Sequence, residues 1–286
     1  MKASSINDEV MLKNFIGKIV NHFGYKIMKI SSKVDKVDQV TKISPINRNS
    51  LDDITKFIIR KSEPVIFDVG ANNGQSIKRY KKIFEKPIIH SFEPVADEIN
   101  KLKEKYKNEK NLFLNNFAIG EKEGNLDFNI NAKSSHSSFR KLIPNTTFIK
   151  KRSAEAYVDS EKYTVKKIST KIITLDDYVK QNNIENIDIL KIDTQGYEDK
   201  VLLGAQNLIK DNRIKFIELE LIFSEIYESP LQIYDIEKIL IPNNYKLFGI
   251  SEAGSLISNF IFQSDFLYIS PDAYKDFKSN SPYLNN

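Results

Sequence analysis

Apolar positions recur along this chain with two different spacings. Leu12, Phe15, Ile16, Ile19, Val20 and Phe23 fall three and four residues apart, which predicts a helix with one oily face that ends near Gly24. Residues 31–50 are polar and mixed and read as a linker, and 51–60 predict a second short helix, so residues 1–62 form a helical extension. From residue 63 the pattern changes. Short apolar runs at 65–69, 88–92, 112–114, 187–192 and 214–221 are separated by amphipathic segments at 76–84, 95–107, 175–181 and 198–210. Runs that are apolar throughout suit strands covered on both faces, and their alternation with helices predicts an α/β domain over 63–286. Thr174 with Asp177 makes a capping-box-like start for the third helix. Between residues 120 and 173 the alternation lapses: short strands are predicted at 125–130 and 164–173, around an inserted loop or small subdomain at about 131–162. The last two strands fall at 245–250 and 260–269, completing a mostly parallel, seven-stranded sheet with helices on both faces.

Composition narrows the picture. The chain has no cysteine, which excludes disulfides, thiolate metal sites and a thiol nucleophile. Its net charge of +5 comes from basic residues scattered among acids, unlike the concentrated basicity of a nucleic-acid binder. No window approaches the ~20 apolar residues of a membrane span, and Lys13 and Lys18 break the early apolar stretch that a signal peptide would need. The expectation is a cytoplasmic protein. The oily face of the first helix needs a cover, and three remain open: the main domain, a second copy in a homodimer, or a peripheral membrane contact flanked by Lys13, Lys18 and Lys26.

The first strand of the domain runs into Asp68-Val69-Gly70-Ala71-Asn72-Asn73-Gly74, after which a helix begins. A glycine turn at such a junction brings backbone close to a ligand at a helix N-terminus. Its G-x-x-x-G spacing lacks the extra glycine of the dinucleotide fingerprint. The second strand ends at Glu93, 23 residues after Gly70, where a carboxylate can accept the two hydroxyls of an adenosine ribose.

These segments resemble the FkbM family of S-adenosylmethionine-dependent methyltransferases. The likeness runs in order through Phe67 to Gly74, Ser91-Phe92-Glu93-Pro94, Asn116-Phe117-Ala118-Ile119-Gly120, Thr174-Leu175-Asp176-Asp177 and Leu190-Lys191-Ile192-Asp193-Thr194-Gln195-Gly196-Tyr197-Glu198, and covers about two thirds of the chain, residues 65–250. It implies a Rossmann-like class I methyltransferase fold with S-adenosylmethionine as cofactor and S-adenosylhomocysteine as product. It further implies that Asp68, Gly70, Ala71, Asn72, Asn73 and Gly74 bind the cofactor, with Gly70 to Gly74 cradling its methionine part. Glu93 and Pro94 would hold the ribose, and Asn116 to Ala118 would border the adenine. Many methyltransferases have an acid beside the adenine where this chain offers Asn115 or Asn116, and the family often has Glu where this chain has Gln195.

Methyl transfer requires an acceptor oxygen aligned with the C–S bond and help with its proton. Asp193, at the end of the strand 187–192, is the first candidate for a general base or acceptor-orienting group, with contact to the cofactor amine as its other reading. Glu218 and Glu220 lie two apart on one strand and share a face; Glu220 is a second catalytic candidate, and a divalent cation held by these acids with Asp193 stays open without being required by any spacing. His136, in a polar serine-flanked loop, is a third candidate, since an imidazole titrates near neutrality. Glu198 fits a structural role at the start of its helix. The acceptor that the resemblance suggests is a hydroxyl of a sugar in a surface polysaccharide or its precursor. The competing readings are a nucleotide-dependent oxidoreductase or epimerase, disfavoured by the missing G-x-G-x-x-G, an amine methylase, disfavoured by the Asp193-Thr194-Gln195-Gly196 motif, and a non-catalytic scaffold that binds the adenosyl group.

Overall fold

The computed structural model describes residues 51–251 and 261–280. The helix expected at residues 12–23, its linker, and the dimer and membrane contacts read from them lie outside the described residues. In chain order the described strands are β1 (Val65–Val69), β2 (Ile88–Phe92), β3 (Leu112–Asn115), β4 (Ala118–Ile119), β5 (Gly124–Asn131), β6 (Thr164–Ile173), β7 (Ile187–Ile192), β8 (Ile214–Ile222), β9 (Lys246–Ile250) and β10 (Gln263–Ile269).

Seven of them form the main sheet in the order β3-β2-β1-β7-β8-β10-β9. All neighbours are parallel except β10, which runs antiparallel to both β8 and β9. This is a Rossmann-like α/β arrangement of the class I methyltransferase kind. Because strand order reverses between β1 and β7, the chain diverges above that pair and leaves a crevice at their carboxyl ends. Gly70, Ala71, Asn72, Glu93, Pro94, Ala118 and Asp193 border that crevice.

Strand alternation sorts the sheet into two cores. Phe67, Val69, Leu190, Ile192, Ile217 and Leu219 pack on one face with the helices Leu175–Gln181 and Glu198–Leu203. Ile66, Ile189, Phe216 and Leu267 pack on the other against the helix Gln75–Ile83. The second face also carries a row of charge, because Asp68 is opposite Lys191 and Lys191 opposite Glu218. Arg79 reaches down from the helix to Glu218 with two bonds of 2.5 and 3.0 Å, and Glu218 is only 1% exposed.

Two local results differ from the sequence reading, and a third concerns the insertion, which that reading leaves open as a loop or a small subdomain. The expected helix 198–210 is two helices, Glu198–Leu203 and Gln206–Lys210, broken at Gly204, where a Cβ would lie 2.0 Å from the Gly120 carbonyl oxygen. The insertion is a small subdomain: β5 pairs antiparallel with β6, β4 adds to its other side, and the helix Thr147–Glu155 follows an N-cap at Thr146. Phe148, Ile149, Tyr163 and Tyr227 give it a separate apolar cluster. Helices Ile233–Leu240 and Pro271–Asn280 have no counterpart in the sequence reading.

Candidate active site

The glycine turn is shaped first by the protein's own backbone. Gly70 has φ +93°, and a Cβ there would lie 2.0 Å from the Asp193 carbonyl oxygen. The Asp193 N–H donates to the Val69 carbonyl (2.9 Å), and those of Gly70 and Ala71 both donate to the Phe92 carbonyl (3.0 and 3.1 Å). Glycine is therefore demanded where the ends of β1, β2 and β7 are stitched together. Gly74, with φ +80°, would drive a Cβ to 2.8 Å from Leu102, so it too answers to packing. The protein's own packing therefore demands both glycines, in addition to any closeness to a ligand. Gly70, Ala71 and Asn72 do border the crevice, whereas Gly74 and Asn73 do not, and the Asn73 carbonyl accepts from Lys105.

Glu93 sits at the end of β2, 5% exposed. Its Oε2 accepts the Asn72 N–H and its Oε1 accepts the Val95 N–H, each at 2.9 Å. The carboxylate thus ties the glycine turn to the loop after β2. Asn72 presents that N–H from a left-handed backbone (φ +42°), which asparagine tolerates better than most residues. Burial pushes Glu93 up to about 7 although both N–H bonds oppose it. Beneath the turn, Asp68 is fully buried; Ser91 donates to its Oδ2, its Oδ1 has no partner, and burial raises it to about 6 against the pull of Lys191.

The crevice holds about 750 Å³ counting its open mouth, and Ala71, Asn72, Glu93, Pro94, Ala118 and Asp193 are among its walls. Asn116 is not one of them. Its amide donates to the carbonyls of Glu93 and Pro94 and so clamps the loop after β2. Asn115 likewise turns its amide to the Ser91 carbonyl and the Tyr178 hydroxyl.

The opposite wall is a 3-10 turn, Ser134–His136. Ser134, Ser135 and Ser137 face the crevice, and the Asn72 amide donates to the Ser134 hydroxyl at 3.3 Å. His136 faces away. Its Nδ1 lies 2.8 Å from the Tyr163 hydroxyl, its ring packs 5.3 Å from Phe148, and burial lowers it to about 4. The structure therefore removes His136 from the reacting groups, because the apolar cluster of the inserted subdomain claims its ring.

Asp193 opens on the crevice at the end of β7. Glu220 does not border it and stands behind, with Gln195 between the two acids. The Gln195 amide nitrogen donates to Asp193 Oδ1 and to Glu220 Oε2, both at 3.1 Å, and its oxygen accepts from the Tyr227 hydroxyl at 3.0 Å. Gln263 donates to the other Glu220 oxygen at 2.8 Å. Burial, then the nearby Asp193 charge, pushes Glu220 up to about 8, with Lys191 opposing. Glu198 closes the loop: its Oε1 accepts from the Thr194 N–H, the Thr194 hydroxyl and the Gly196 N–H, and burial raises it to about 7. Glu218 is occupied by Arg79, and among the described residues no group of three His, Cys, Asp or Glu is arranged to hold a metal ion.

Sequence reasoning missed the part played by Gln195, noticed only as a variant in its motif, and that of Tyr227, for which the sequence offered no signal. The serines of the wall stand in the sequence as a run around His136, and nothing in that run marks which of them faces the crevice.

Comparison with known proteins gives a family. The family model described as the methyltransferase FkbM domain matches residues 68–247. A 2-O-methyltransferase, NoeI, of Sinorhizobium fredii is 26% identical over 186 residues, spanning 64% of this chain and 73% of that protein. Among solved structures, an rRNA methylase from Streptococcus thermophilus is similar with a TM-score of 0.40 at 11% identity, over 76% of this chain and 93% of its own. A precorrin-6y C5,15-methyltransferase from Geobacter metallireducens gives 0.38 at 9% identity, over 77% and 87%. Likenesses that distant add nothing to a fold already defined by its strand order.

Proposed function

The chain belongs to the FkbM methyltransferase family, a family of S-adenosylmethionine-dependent enzymes, and from that premise we propose that it methylates a sugar hydroxyl in a surface polysaccharide or its precursor. The relative's name, a 2-O-methyltransferase, supports an oxygen acceptor. A cytoplasmic setting belongs to the same proposal, supported by a chain without cysteine.

The residues present fit the cofactor. Two N–H bonds use part of the acceptor capacity of Glu93, and a carboxylate has about four lone-pair sites, so the ribose diol can still donate to it. Asp68 offers a buried acceptor without a partner beneath the turn. In this reading Gly70, Ala71 and Asn72 border the methionine part, Glu93 and Pro94 the ribose, and Ala118 the base. Asp68, Asn73, Gly74 and Asn116 act behind them. Since Asn116 uses its amide on the loop, recognition of the adenine falls to backbone groups and apolar side chains.

The bound cofactor supplies a methyl group activated by its sulfonium. The chain's own contribution is to align the acceptor and manage its proton. Of the two acids that border the crevice, Glu93 serves the ribose in this reading, which leaves Asp193 to orient the acceptor hydroxyl and take its proton, while Glu220 supports it from behind. The single observation that carries the reading is one crevice walled both by the Glu93 carboxylate, bonded to the glycine turn, and by Asp193. The test is transfer of labelled methyl from S-adenosylmethionine to a panel of glycans, RNA and protein. Labelled glycan alone is expected. Labelled RNA or protein without glycan would overturn the sugar acceptor, and cofactor binding without any transfer would favour a scaffold.

A further inference from the structure

The amide of Gln195 is a neutral group placed between two acids at the reacting end of the crevice, and its role there rests on the methyltransferase reading. We propose that Gln195 is a positioning residue that holds the carboxylates of Asp193 and Glu220 in one fixed arrangement, with Asp193 turned to the acceptor hydroxyl.

Three bonds fix that amide. One nitrogen serves both acids at 3.1 Å, and the oxygen is claimed by the buried Tyr227 hydroxyl, which prevents the amide from flipping. A primary amide is the side-chain group that offers two N–H donors without a charge, one for each acid. A cation here would pull both acids onto itself, and a carboxylate would repel both. The backbone agrees with the side chain. Gln195 has φ +57°, an uncommon conformation for a residue with a Cβ, held on one side by the Ser138 hydroxyl on its carbonyl (2.7 Å) and on the other by Glu198 on the Thr194 and Gly196 N–H groups. Strain maintained by that many partners is typical of functional positions.

The consequence is electrostatic as well as geometric. The charged groups facing Glu220 are Asp193, Lys191, Asp265 and Glu198, and all but Lys191 disfavour its ionised form. The bonds from Gln195 and Gln263 favour that form, since both amides donate to it. Removing the Gln195 bond therefore moves Glu220 to a higher titration midpoint, and Asp193 loses its tether in the same step.

The test uses Gln195→Leu, Gln195→Glu and Tyr227→Phe in the full chain. Any residue with a Cβ meets the same backbone conformation at position 195, so the substitutions add no new strain there, and thermal melting checks that each variant folds. For Gln195→Leu, kcat is expected to fall about 10- to 100-fold, the range set by losing hydrogen bonds to charged groups, while KM for S-adenosylmethionine stays near wild type. The acidic limb of the kcat profile is expected to move to higher pH, further still in Gln195→Glu, with a smaller loss in Tyr227→Phe. A fall of equal size at every pH would assign Gln195 a merely structural role and overturn the proposal, as would wild-type kcat in Gln195→Leu. An NMR titration of the Glu220 carboxyl carbon, read without any acceptor, keeps this test separate from the function: an unmoved midpoint in Gln195→Leu overturns the positioning role. Failure of the wild type to methylate any hydroxyl overturns the methyltransferase reading instead.

Discussion

Replacing Glu93 by glutamine should abolish a pH dependence in cofactor binding as well as weaken it. In the free protein the carboxyl titrates at about 7 in place of the ordinary 4.5, so burial withholds about 3 kcal/mol from the ionised form. A ribose diol that donates two hydrogens to the carboxylate favours ionisation, each bond to a charged group being worth roughly 1.5–3 kcal/mol. Affinity for S-adenosylmethionine should therefore rise with pH, by about tenfold per pH unit well below 7, and level off above it. In Glu93→Gln the carbonyl oxygen can serve only part of the former role, and the loss at pH 8 should be about 100-fold in Kd, or about 3 kcal/mol. The assay is calorimetry from roughly pH 5.5 to roughly pH 8, which brackets the midpoint. The quantity to follow is the ratio of wild-type to variant affinity, since the ligand's own amine titrates identically in both. That ratio should widen as pH climbs. A ratio that stays constant, or equal affinities, would refute the placement of the ribose on this carboxylate. The same acid works the other way on the empty fold: its folded value lies above its unfolded one, so the folded chain binds more protons between about 4.5 and 7 and loses stability as pH rises through that window.

The remaining outcomes concern the histidine, the glycine turn and the buried ion pair. His136→Gln should leave the kcat profile above pH 6 unmoved and reduce thermal stability, because the ring bonds Tyr163 and packs on Phe148 away from the crevice; a lost basic or acidic limb would return the histidine to the chemistry. Since burial lowers His136 to about 4 from 6.5, its neutral form contributes stability that is lost as pH falls from about 6.5 toward 4, and the substitution should remove that acid-side loss in a melting series. Gly70→Ala should prevent native folding or cost more than ~3 kcal/mol, since its Cβ meets the Asp193 carbonyl at a positive φ; near-native melting would show that β1 and β7 part easily. Arg79→Met leaves Glu218 buried without its bidentate partner and should cost about 3–5 kcal/mol in denaturant unfolding; a neutral result would mean that Lys191, 3.9 Å away, suffices alone.

The main sheet is legible in the sequence because its central strands are mostly apolar on both faces and its helices are not, the contrast expected of a doubly covered sheet. Six of its strands, at 65–69, 88–92, 112–115, 187–192, 214–222 and 246–250, agree with the apolar runs to within a residue. The inserted region is legible in its two strands, at 124–131 and 164–173, and otherwise as a departure, since its cluster draws Phe148 and Tyr163 from in or beside a polar stretch and Ile222, Tyr227 and Phe262 from far along the chain. The same long-range closure explains the histidine. Serines and a histidine in one loop look alike in a sequence, and which of them faces the crevice is decided by Tyr163, 27 residues away. Glycines 70 and 74 stand out in the sequence as a ligand's turn, yet the nearest obstacles to a Cβ are Asp193 and Leu102. Spacing reveals that a turn is tight; what it is tight against is set by strands that arrive later.

So many acids collect around the crevice at a cost. Asp68, Glu93, Glu198 and Glu220 all have their ionised forms disfavoured by burial, and Lys191, with Arg79 behind it, is the countercharge beneath them. A crevice of that kind is poorly matched to an anionic ligand. It is well matched to one that brings a positive sulfonium and an ammonium, because each of those charges favours the ionised state that burial opposes. In the proposed reaction, transfer of the methyl group removes the sulfonium charge, so the two acids that border the crevice, Glu93 and Asp193, would hold the product less firmly than the cofactor.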